Sequence, residues 1–410
     1  MKEFSVINFS SRIRICAIAI GSLLNMSCKA RVFNSVVKNE ENKIQSKTVL
    51  ENIDLINLDS QNLQTTEKLT KLFYRQTASD ISDSDFALKW NVAVEAGALK
   101  FLRSFVATYY KDLIKVTGTG PVGICFGDAH IENFGFVLFA DGPHFVYNDF
   151  DDSGYCPVGL DILRYLTSIN LFEKKSSDAF KKIAREYVKV LSGKNSPQKL
   201  DSSFEFDPEK KREKNVSKLV ENERFIESPE FSKVSENLKN EISMALKTNP
   251  DMQKLELKDV VATKKEAGGS AGLEKYLIYV SDSSGTKREI LECKPLIAPG
   301  TAAGDWKTLP NNRVEFLQKE IWANLKPVNY FEVKINDLNY VIRSRTKGSI
   351  DINSLNSDER LELYKSQVGI IATLHKKTWH SSDNLEKWLI QNTQFMGERY
   401  RDIIKNVSAK

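Results

Sequence analysis

Histidine and cysteine are scarce in this chain, which has four histidines and five cysteines among 410 residues. A binuclear metallohydrolase centre normally takes several histidines together with carboxylates, so the composition argues against that class of enzyme. The cysteines are also too few and too irregularly spaced for a disulfide framework or a zinc site. We therefore expect Cys125, Cys156 and Cys293 to be small, unpaired core residues.

Long basic stretches are absent as well. The formal net charge is +5, and the Lys and Arg residues are interspersed with acidic neighbours. No tract marks a nucleic-acid surface, and we predict no nucleic-acid partner. With 41% hydrophobic and 28% charged residues, the chain can bury a large core, which excludes a disordered or fibrous protein.

The first thirty residues differ in composition from the rest. Three basic residues precede the apolar run Ile15–Leu24, and Ser27 and Cys28 follow it. The run is too short for a permanent membrane-spanning helix, and this order of features is typical of an export signal. We predict that residues 1–28 direct export to the cell envelope and that Cys28 carries a lipid anchor. A buried N-terminal strand or helix is the alternative.

Periodicity divides the remainder into four parts. Residues 29–62 are polar and are predicted to form a tether. Residues 63–258 are mostly helical, with short strands near 122–150 and a charged helical insert at 194–250. Alternating strands dominate 259–345, and helices return in 346–410. The predicted fold class is α+β.

A loop between two predicted strands reads Gly-Asp-Ala-His-Ile-Glu-Asn-Phe-Gly at residues 127–135. Its Asp128 and Asn133 supply what phosphoryl transfer requires: a carboxylate for the proton of the attacking hydroxyl and an amide oxygen for the metal. The next strand ends in Asn-Asp-Phe-Asp-Asp at 148–152, and a hairpin would bring Asp149 to the same place. These hard oxygen ligands suit Mg²⁺ or Mn²⁺ rather than zinc.

Other polar residues of this region admit two roles each. His130 either lines the site or braces the loop by hydrogen bonds, and bracing is favoured. Asp151 is either a second metal ligand or a turn former. Asp161 is expected to pin the loop or cap a helix rather than contact substrate, and His375 is expected to be structural.

A glycine-rich segment, Ala-Gly-Gly-Ser-Ala-Gly, follows at residues 267–272. It precedes a strand, a second strand that ends in a lysine, and a helix with acidic residues. In a kinase N-lobe, such a turn covers the nucleotide phosphates and the lysine pairs with a helix glutamate. The predicted nucleotide-binding residues are Gly268, Gly269, Ser270, Gly272, Lys294 and Glu315, with Glu320 as the alternative to Glu315.

The motifs at 127–135 and 148–152 resemble those of the bacterial DUF2252 family, which carries Gly-Asp-x-His-x-x-Asn-Phe-Gly and then Asn-Asp-Phe-Asp-Asp/Glu. The similarity extends through the helix at 159–164 to Lys294. That family in turn is similar to the aminoglycoside-phosphotransferase branch of the protein-kinase-like fold. The resemblance implies that Asp128 is the catalytic aspartate, Asn133 a metal-binding amide and Asp149 the metal-binding aspartate. Phe126 stands where the phosphotransferases usually have His.

The order of these parts departs from that of an ordinary kinase. Residues 127–135, which the resemblance makes the catalytic loop, precede the glycine-rich turn. The resemblance therefore implies a two-lobed, kinase-like fold that is circularly permuted, which is tolerable when the original termini are close together. The implied function is phosphotransfer from metal-bound ATP to a hydroxyl of an unknown small molecule or protein. A pseudokinase-type nucleotide-binding module and a nucleotidyl transferase on the same fold stay open as alternatives.

Overall fold

A computed structural model describes residues 67–68, 70–71, 82–116, 118–264, 271–323, 325–380 and 383–408. All of them belong to one compact unit. The predicted export signal, the tether at 29–62 and the predicted lipid anchor on Cys28 lie outside the described residues. No helix within the described ranges is long and apolar enough to cross a membrane.

The described part of the chain contains ten α-helices and thirteen strands. The helices are α1 (Asp83–Glu95), α2 (Ala98–Ser104), α3 (Val106–Asp112), α4 (Val158–Phe172), α5 (Ala179–Leu191), α6 (Pro208–Leu219), α7 (Glu236–Lys247), α8 (Arg313–Trp322), α9 (Ser357–His375) and α10 (Leu385–Ser408). The fold is α+β, as predicted.

The strands form one large sheet and three small ones. They are β1 (Val122–Cys125), β2 (Phe134–Phe139), β3 (Gly142–Tyr147), β4 (Gly154–Pro157), β5 (Val220–Glu221), β6 (Arg224–Phe225), β7 (Phe231–Lys233), β8 (Glu256–Lys264), β9 (Glu274–Ser281), β10 (Arg288–Pro295), β11 (Tyr330–Ile335), β12 (Leu338–Ser344) and β13 (Gly348–Ser349).

Helix α4 is the centre of the helical part. Every residue from Val158 to Ile169 is buried, as expected of a helix that is enclosed on all sides. Helices α5 and α10 pack against it, and α9 packs against α5. Helix α9 begins with a capping box, in which Asn356 and Glu359 satisfy each other's backbone N–H groups. This bundle gives α4 a fixed position beneath the catalytic loop.

The large sheet has the strand order β11-β12-β10-β9-β8-β7, with antiparallel neighbours throughout. Successive side chains of a strand point to opposite faces. On β10, Leu291 and Cys293 join the apolar cluster beneath α7, so Glu292 and Lys294 point to the other face. Glu292 lies directly opposite Arg343 of β12. One face of the sheet is therefore an ordinary core and the other carries buried charge.

The insert at 194–250 completes this sheet. Strand β7 adds the sixth strand, α7 covers the apolar face, and α6 packs on the charged face against Leu277, Tyr279 and Ile290. The apolar residues of the insert contribute to the core of the large sheet and do not form a separate core.

Two of the three small sheets position the loop at 127–135 next to the large sheet. Strands β1 and β4 pair, β2 and β3 form a hairpin, and β5 and β6 pair within the insert. After leaving β12, the chain forms β13, which pairs with β2 so that Gly348 is opposite Phe136. The end of the large sheet is thereby connected directly to the hairpin whose open end carries Asn133 and Asp149.

The expectation that Cys125 and Cys156 are unpaired is wrong. They form a disulfide between β1 and β4, with their Cα atoms 5.8 Å apart. The antiparallel register places Cys125 opposite Gly154 and Cys156 opposite Gly123, which brings the two thiols together although 31 residues separate them. Cys293 is free and buried, as expected.

Candidate functional site

The catalytic loop is held by the buried carboxylate of Asp161 on α4. Its Oδ2 accepts a hydrogen bond from the Phe126 N–H at 2.8 Å, and its Oδ1 accepts one from the Gly127 N–H at 3.0 Å. His375 Nε2 lies 3.1 Å from Asp161 Oδ2. Asp161 and His375 therefore have the supporting roles that the sequence analysis favours.

The two site motifs touch at Gly127. This residue has a φ of +78°, and a Cβ added to it would lie 1.9 Å from the carbonyl oxygen of Asp152. Only glycine fits a left-handed backbone in such close contact. The Ser153 and Tyr147 hydroxyls both donate to the Phe126 carbonyl, at 2.7 and 3.0 Å. The catalytic loop and the Asn148–Asp152 segment are thus fixed against each other by backbone contact.

Asp128 lies at the centre of a dense set of donors. Arg164 of α4 donates to its Oδ1 from Nε at 3.1 Å and from Nη2 at 2.5 Å. Asn133 Nδ2 donates to its Oδ2 at 3.2 Å and to its backbone carbonyl at 3.0 Å. Both bonds use the amide nitrogen, so Asn133 Oδ1 is the atom that can coordinate a metal.

These contacts keep Asp128 ionised. Burial would raise the pKa of its carboxyl, but the charges of His130 and Arg164 and the hydrogen bonds from them hold that pKa well below its usual range. Burial lowers the pKa of His130, while the charge of Asp128 opposes that shift. A carboxylate held so firmly by a guanidinium is a weak proton acceptor and a well-oriented hydrogen-bond acceptor.

His130 braces the loop. Its Nδ1 accepts a hydrogen bond from the Glu132 N–H at 3.1 Å, and its Nε2 lies 3.3 Å from both Asp128 Oδ2 and Arg103 Nε. The ring is 1% exposed, so it has little room to meet a substrate. An ion pair between Glu132 and Arg103 closes the outer side of the loop.

Asp149 follows strand β3 and comes close to Asn133 because the hairpin pairs Phe134 with Tyr147. The Asn148 N–H also donates to the Asn133 carbonyl at 3.0 Å. The charges of Asp128 and Asp149 both contribute to raising the pKa of Asp152 to about 6, after the larger effect of burial. These contacts bring Asp128, Asn133 and Asp149 close together, and their catalytic and metal-binding roles stay predictions.

The sheet supplies cations to this acidic group. Arg343 Nη1 lies 3.2 Å from Asp149 Oδ1. Burial would raise the pKa of Asp149, but the charges of Lys294 and Arg343 hold it well below its usual range. Asp149 is ionised and partly open to solvent, whereas Arg343 is buried and also bonds Glu292, with Nη2 to Oε1 at 2.7 Å. The face of the sheet that carries charge is the face that meets the catalytic loop.

Lys294 forms an ion pair with Asp151. Burial lowers the pKa of Lys294 to about 8, while the charge of Asp149 opposes that shift. Lys294 therefore faces the acidic group, and its role in nucleotide binding stays a prediction. The sequence analysis gives Asp151 two alternative roles, a second metal ligand or a turn former, and an ion pair with Lys294 is neither of them. Coordination of a metal by Asp151 stays a prediction.

The predicted pairing of Lys294 with Glu315 is corrected by the structure. Glu315 is exposed in the first turn of α8 and accepts a hydrogen bond from Asn312 Nδ2 at 3.3 Å. The apolar side chains of α8, including Val314 and Leu317, take the buried side, which leaves Glu315 on the solvent side. The alternative, Glu320, pairs with Lys377. Glu315 is thus not assembled with the site.

Only part of the glycine-rich turn can be placed. Gly268, Gly269 and Ser270 lie outside the described residues. Gly272 has a φ of +82° at the start of β9, where a side chain would be strained. Before the turn, Lys264 Nζ lies 2.7 Å from Asp85 Oδ2 of α1, so one flank of the turn is tied to the helical part.

The donor set fits a hard divalent cation. Asn133 Oδ1 and the ionised Asp149 offer two oxygens, and Mg²⁺ commonly takes one or two carboxylates and fills the remaining positions with water and phosphate oxygens. Within the described ranges, one cluster of three Cys, His or acidic ligand atoms is found, at Cys125, Cys156 and Asp161. Its two cysteines are joined in the disulfide, so that cluster is not a metal site.

Residues 91–193 match the DUF2252 family. The family is described as an uncharacterised protein conserved in bacteria. The matched residues include both site motifs, the disulfide and helix α4. No curated protein and no solved structure matches the chain.

Several site residues escaped the sequence analysis, and most lie outside the DUF2252 segment. Arg164 belongs to the family motif at 159–164, although no role was predicted for it. It follows Asp161 by three residues, a spacing that places both on one side of α4. Arg343 and Lys275 belong to strands of the sheet, where charged residues among apolar neighbours were an available signal. Lys89 of α1 is 1% exposed, and burial lowers its pKa well below the usual range, while the charge of Asp152 opposes the shift.

Proposed function

We propose that this protein is a phosphotransferase of the protein-kinase-like type, circularly permuted, that uses metal-bound ATP to modify a hydroxyl group. The observation that carries the proposal is the meeting of Asp128, Asn133 and Asp149 with Lys294 at one site. Phosphoryl transfer relies mostly on positioning and charge stabilisation, and these four groups are the kinds of residue that such a site needs.

The sheet supports the same proposal. The glycine-rich turn joins β8 to β9, Lys294 ends β10, and α8 and two further strands follow. A lysine on the second strand after a glycine-rich turn is the arrangement of a kinase N-lobe. The catalytic loop precedes this sheet in the chain, so the proposed fold is a permuted one, with the N-lobe equivalent at 256–344.

Each residue has a defined task in the proposed mechanism. Asn133 Oδ1 and Asp149 would hold Mg²⁺ or Mn²⁺, which when bound neutralises charge on the transferring phosphoryl group. Lys294 and the backbone of the glycine-rich turn would bind the phosphates of ATP. Asp128, fixed by Arg164, orients the acceptor hydroxyl. Its low pKa makes orientation a larger part of its role than proton removal.

The disulfide supports the proposed location. Disulfides persist in oxidising compartments such as the bacterial periplasm and are rare in the cytosol. Cys125 and Cys156 are fully buried in the folded protein, so their bond forms part of the structure of the site. We therefore retain the proposal of export to the cell envelope, with a lipid anchor on Cys28 as the attachment to the membrane.

One alternative has an observation in its favour. The carboxylates of Asp149 and Asp151 form ion pairs with Arg343 and Lys294, so the protein neutralises its own acidic group. A nucleotide-binding module without turnover would tolerate this arrangement. An enzyme must exchange one or both ion pairs for contacts with the metal and the phosphates.

Calorimetric titration with ATP and Mg²⁺ tests the proposal. We expect Asp149→Asn to weaken Mg²⁺-dependent ATP binding strongly, because it removes a metal ligand. Asp128→Asn should leave binding nearly unchanged and abolish transfer, because Asp128 acts on the acceptor. Asp141→Asn is the matched control, since Asp141 is exposed on the same hairpin. Equal loss of binding in the first two variants would refute the assigned roles, and absence of ATP binding by the unaltered protein would refute the function.

A further inference from the structure

A small polar cavity of about 190 Å³ lies where the chain leaves the large sheet. One wall is helix α6 and the other is the segment that joins β12 to β13. Four cationic side chains and one carboxylate are among the lining residues, which include Lys211, Asn215, Glu292, Arg343, Arg345 and Lys347. The walls are thus formed by elements that are far apart in sequence, and the excess charge is positive.

The cavity adjoins the proposed active site. Arg343 lines the cavity and also bonds Asp149 through Nη1 at 3.2 Å. Lys347 lowers the pKa of both Asp149 and Glu292 by its charge, as a smaller cause than burial or Arg343. A ligand in the cavity would lie close to the candidate metal ligand.

The positive charge of the cavity is only partly compensated. Glu292 is already paired with Arg343, with Nε and Nη2 at 2.9 and 2.7 Å from its Oε1. Lys211 and Arg345 form no ion pair with any carboxylate in the part of the chain that the structure describes. Asn215 Nδ2 donates to the Arg345 carbonyl at 3.1 Å, which ties α6 to the segment after β12. The cavity therefore has a fixed wall and cations available to an anion.

Its size limits what it can hold. Pockets for whole small molecules usually measure about 300–1,000 Å³, whereas one water occupies about 30 Å³ in the liquid. A volume of about 190 Å³ suits one phosphate-sized group with some bound water, and it is too small for a nucleotide. Arginine and lysine together are the usual residues for binding phosphate oxygens.

We infer that this cavity is a subsite for a compact oxyanion, namely a phosphate group carried by a small-molecule acceptor. The identity of the ligand as an acceptor rests on the proposed phosphotransferase function, whereas the oxyanion site itself does not. The inference narrows the acceptor from any hydroxyl compound to one that already bears a phosphate group.

Titration of the full chain with inorganic phosphate, without nucleotide or metal, tests this subsite. Ionic strength is held constant with NaCl, because general screening would otherwise change with the phosphate concentration. We expect phosphate to raise the unfolding midpoint of the unaltered protein. The double variant Lys211→Ala, Arg345→Ala should bind phosphate at least tenfold more weakly. Lys218→Ala is the control, because Lys218 is exposed on the same helix and does not line the cavity.

Three outcomes overturn the inference. The first is the absence of phosphate binding by the unaltered protein, and the second is equal phosphate affinity of that protein and the double variant. The third is acetate binding as tightly as phosphate, which would assign the cavity to carboxylates. If the double variant does not fold, Lys211→Ala alone carries the test, since Lys211 lies on a surface helix.

A parallel titration with ATP and Mg²⁺ separates this inference from the proposed function. Loss of phosphate binding in the double variant, with ATP binding unchanged, supports both. Cavity-dependent phosphate binding by a protein that does not bind ATP would leave the oxyanion site standing and refute the phosphotransferase.

Discussion

The catalytic loop and the charged face of the large sheet stabilise buried charge in different ways. In the loop, Asp128 is fixed by Arg164 within a segment that a disulfide and backbone hydrogen bonds already hold. On the sheet, Arg343 is shared between Asp149 and Glu292; strand register places Arg343 opposite Glu292, and the hairpin brings Asp149 to them. The loop is therefore built to stay in one geometry, whereas the ion pairs of the sheet can be exchanged for ligand contacts.

The largest expected effect comes from breaking the buried pair of the loop. Arg164→Met leaves the Asp128 carboxylate buried without its guanidinium, and removal of one partner from such a pair typically costs about 3–5 kcal/mol. We expect a loss of that size in the free energy of unfolding, measured with denaturant. Adding Asp128→Asn should recover part of the loss, because the unpaired charge is then absent. Equal stabilities of the single and double variants would contradict the importance of this pair.

Removal of the disulfide is next in size. For a separation of 31 residues, the chain-entropy relation gives about 3–4 kcal/mol of stabilisation at 25 °C. We expect Cys125→Ser with Cys156→Ser to lower the free energy of unfolding by about this amount and to weaken ATP binding as the two motifs separate. A reductant should shift the unfolding midpoint of the unaltered protein and leave that of the double variant unchanged. Cys293→Ala is the control that retains the disulfide.

Acid should affect the sheet through Glu292. Burial would raise the pKa of Glu292, but Arg343 and Lys275 hold it well below its usual range. A depressed folded-state pKa gives stability that is present above the unfolded-state pKa of about 4.3 and is lost as the pH falls towards the folded-state value. Glu292→Gln should therefore flatten the fall in unfolding free energy below pH 4. If the unfolding free energy of the variant falls below pH 4 as steeply as that of the unaltered protein, the ion pair does not contribute to stability.

The smallest expected effect concerns the flank of the glycine-rich turn. Asp85→Asn breaks a pair with Lys264 whose side chains are 24% and 49% exposed, and exposed pairs contribute less than about 1 kcal/mol. We expect almost unchanged stability and a measurable loss of ATP affinity, because the turn loses its tie to α1. Asp83→Asn, on the same helix, is the comparison. Equal ATP affinity of the unaltered protein and of both variants would show that the contact between Asp85 and Lys264 does not support nucleotide binding.

Sequence signals are most informative where the groups involved are close in the chain. Asp128, Asn133 and Asp149 span one hairpin, and their convergence follows from turn and strand signals alone. The predicted pairing of Lys294 with Glu315 was wrong because it depends on which side of α8 faces the protein. The apolar side chains of Val314 and Leu317 take that side, so Glu315 faces solvent. The disulfide was missed for a similar reason, since β1 pairs with a strand that follows an intervening hairpin.

The sequence by itself determined the α+β class and the grouping of carboxylate and amide side chains at 127–152, because these depend on residue chemistry and local spacing. Tertiary structure alone decided which cations meet those carboxylates. Arg343, Lys294 and Arg164 come from three separate elements, and their positions depend on strand register and helix packing. Those long-range contacts are fixed by the burial of apolar faces throughout the fold, so no single segment of the sequence contains them.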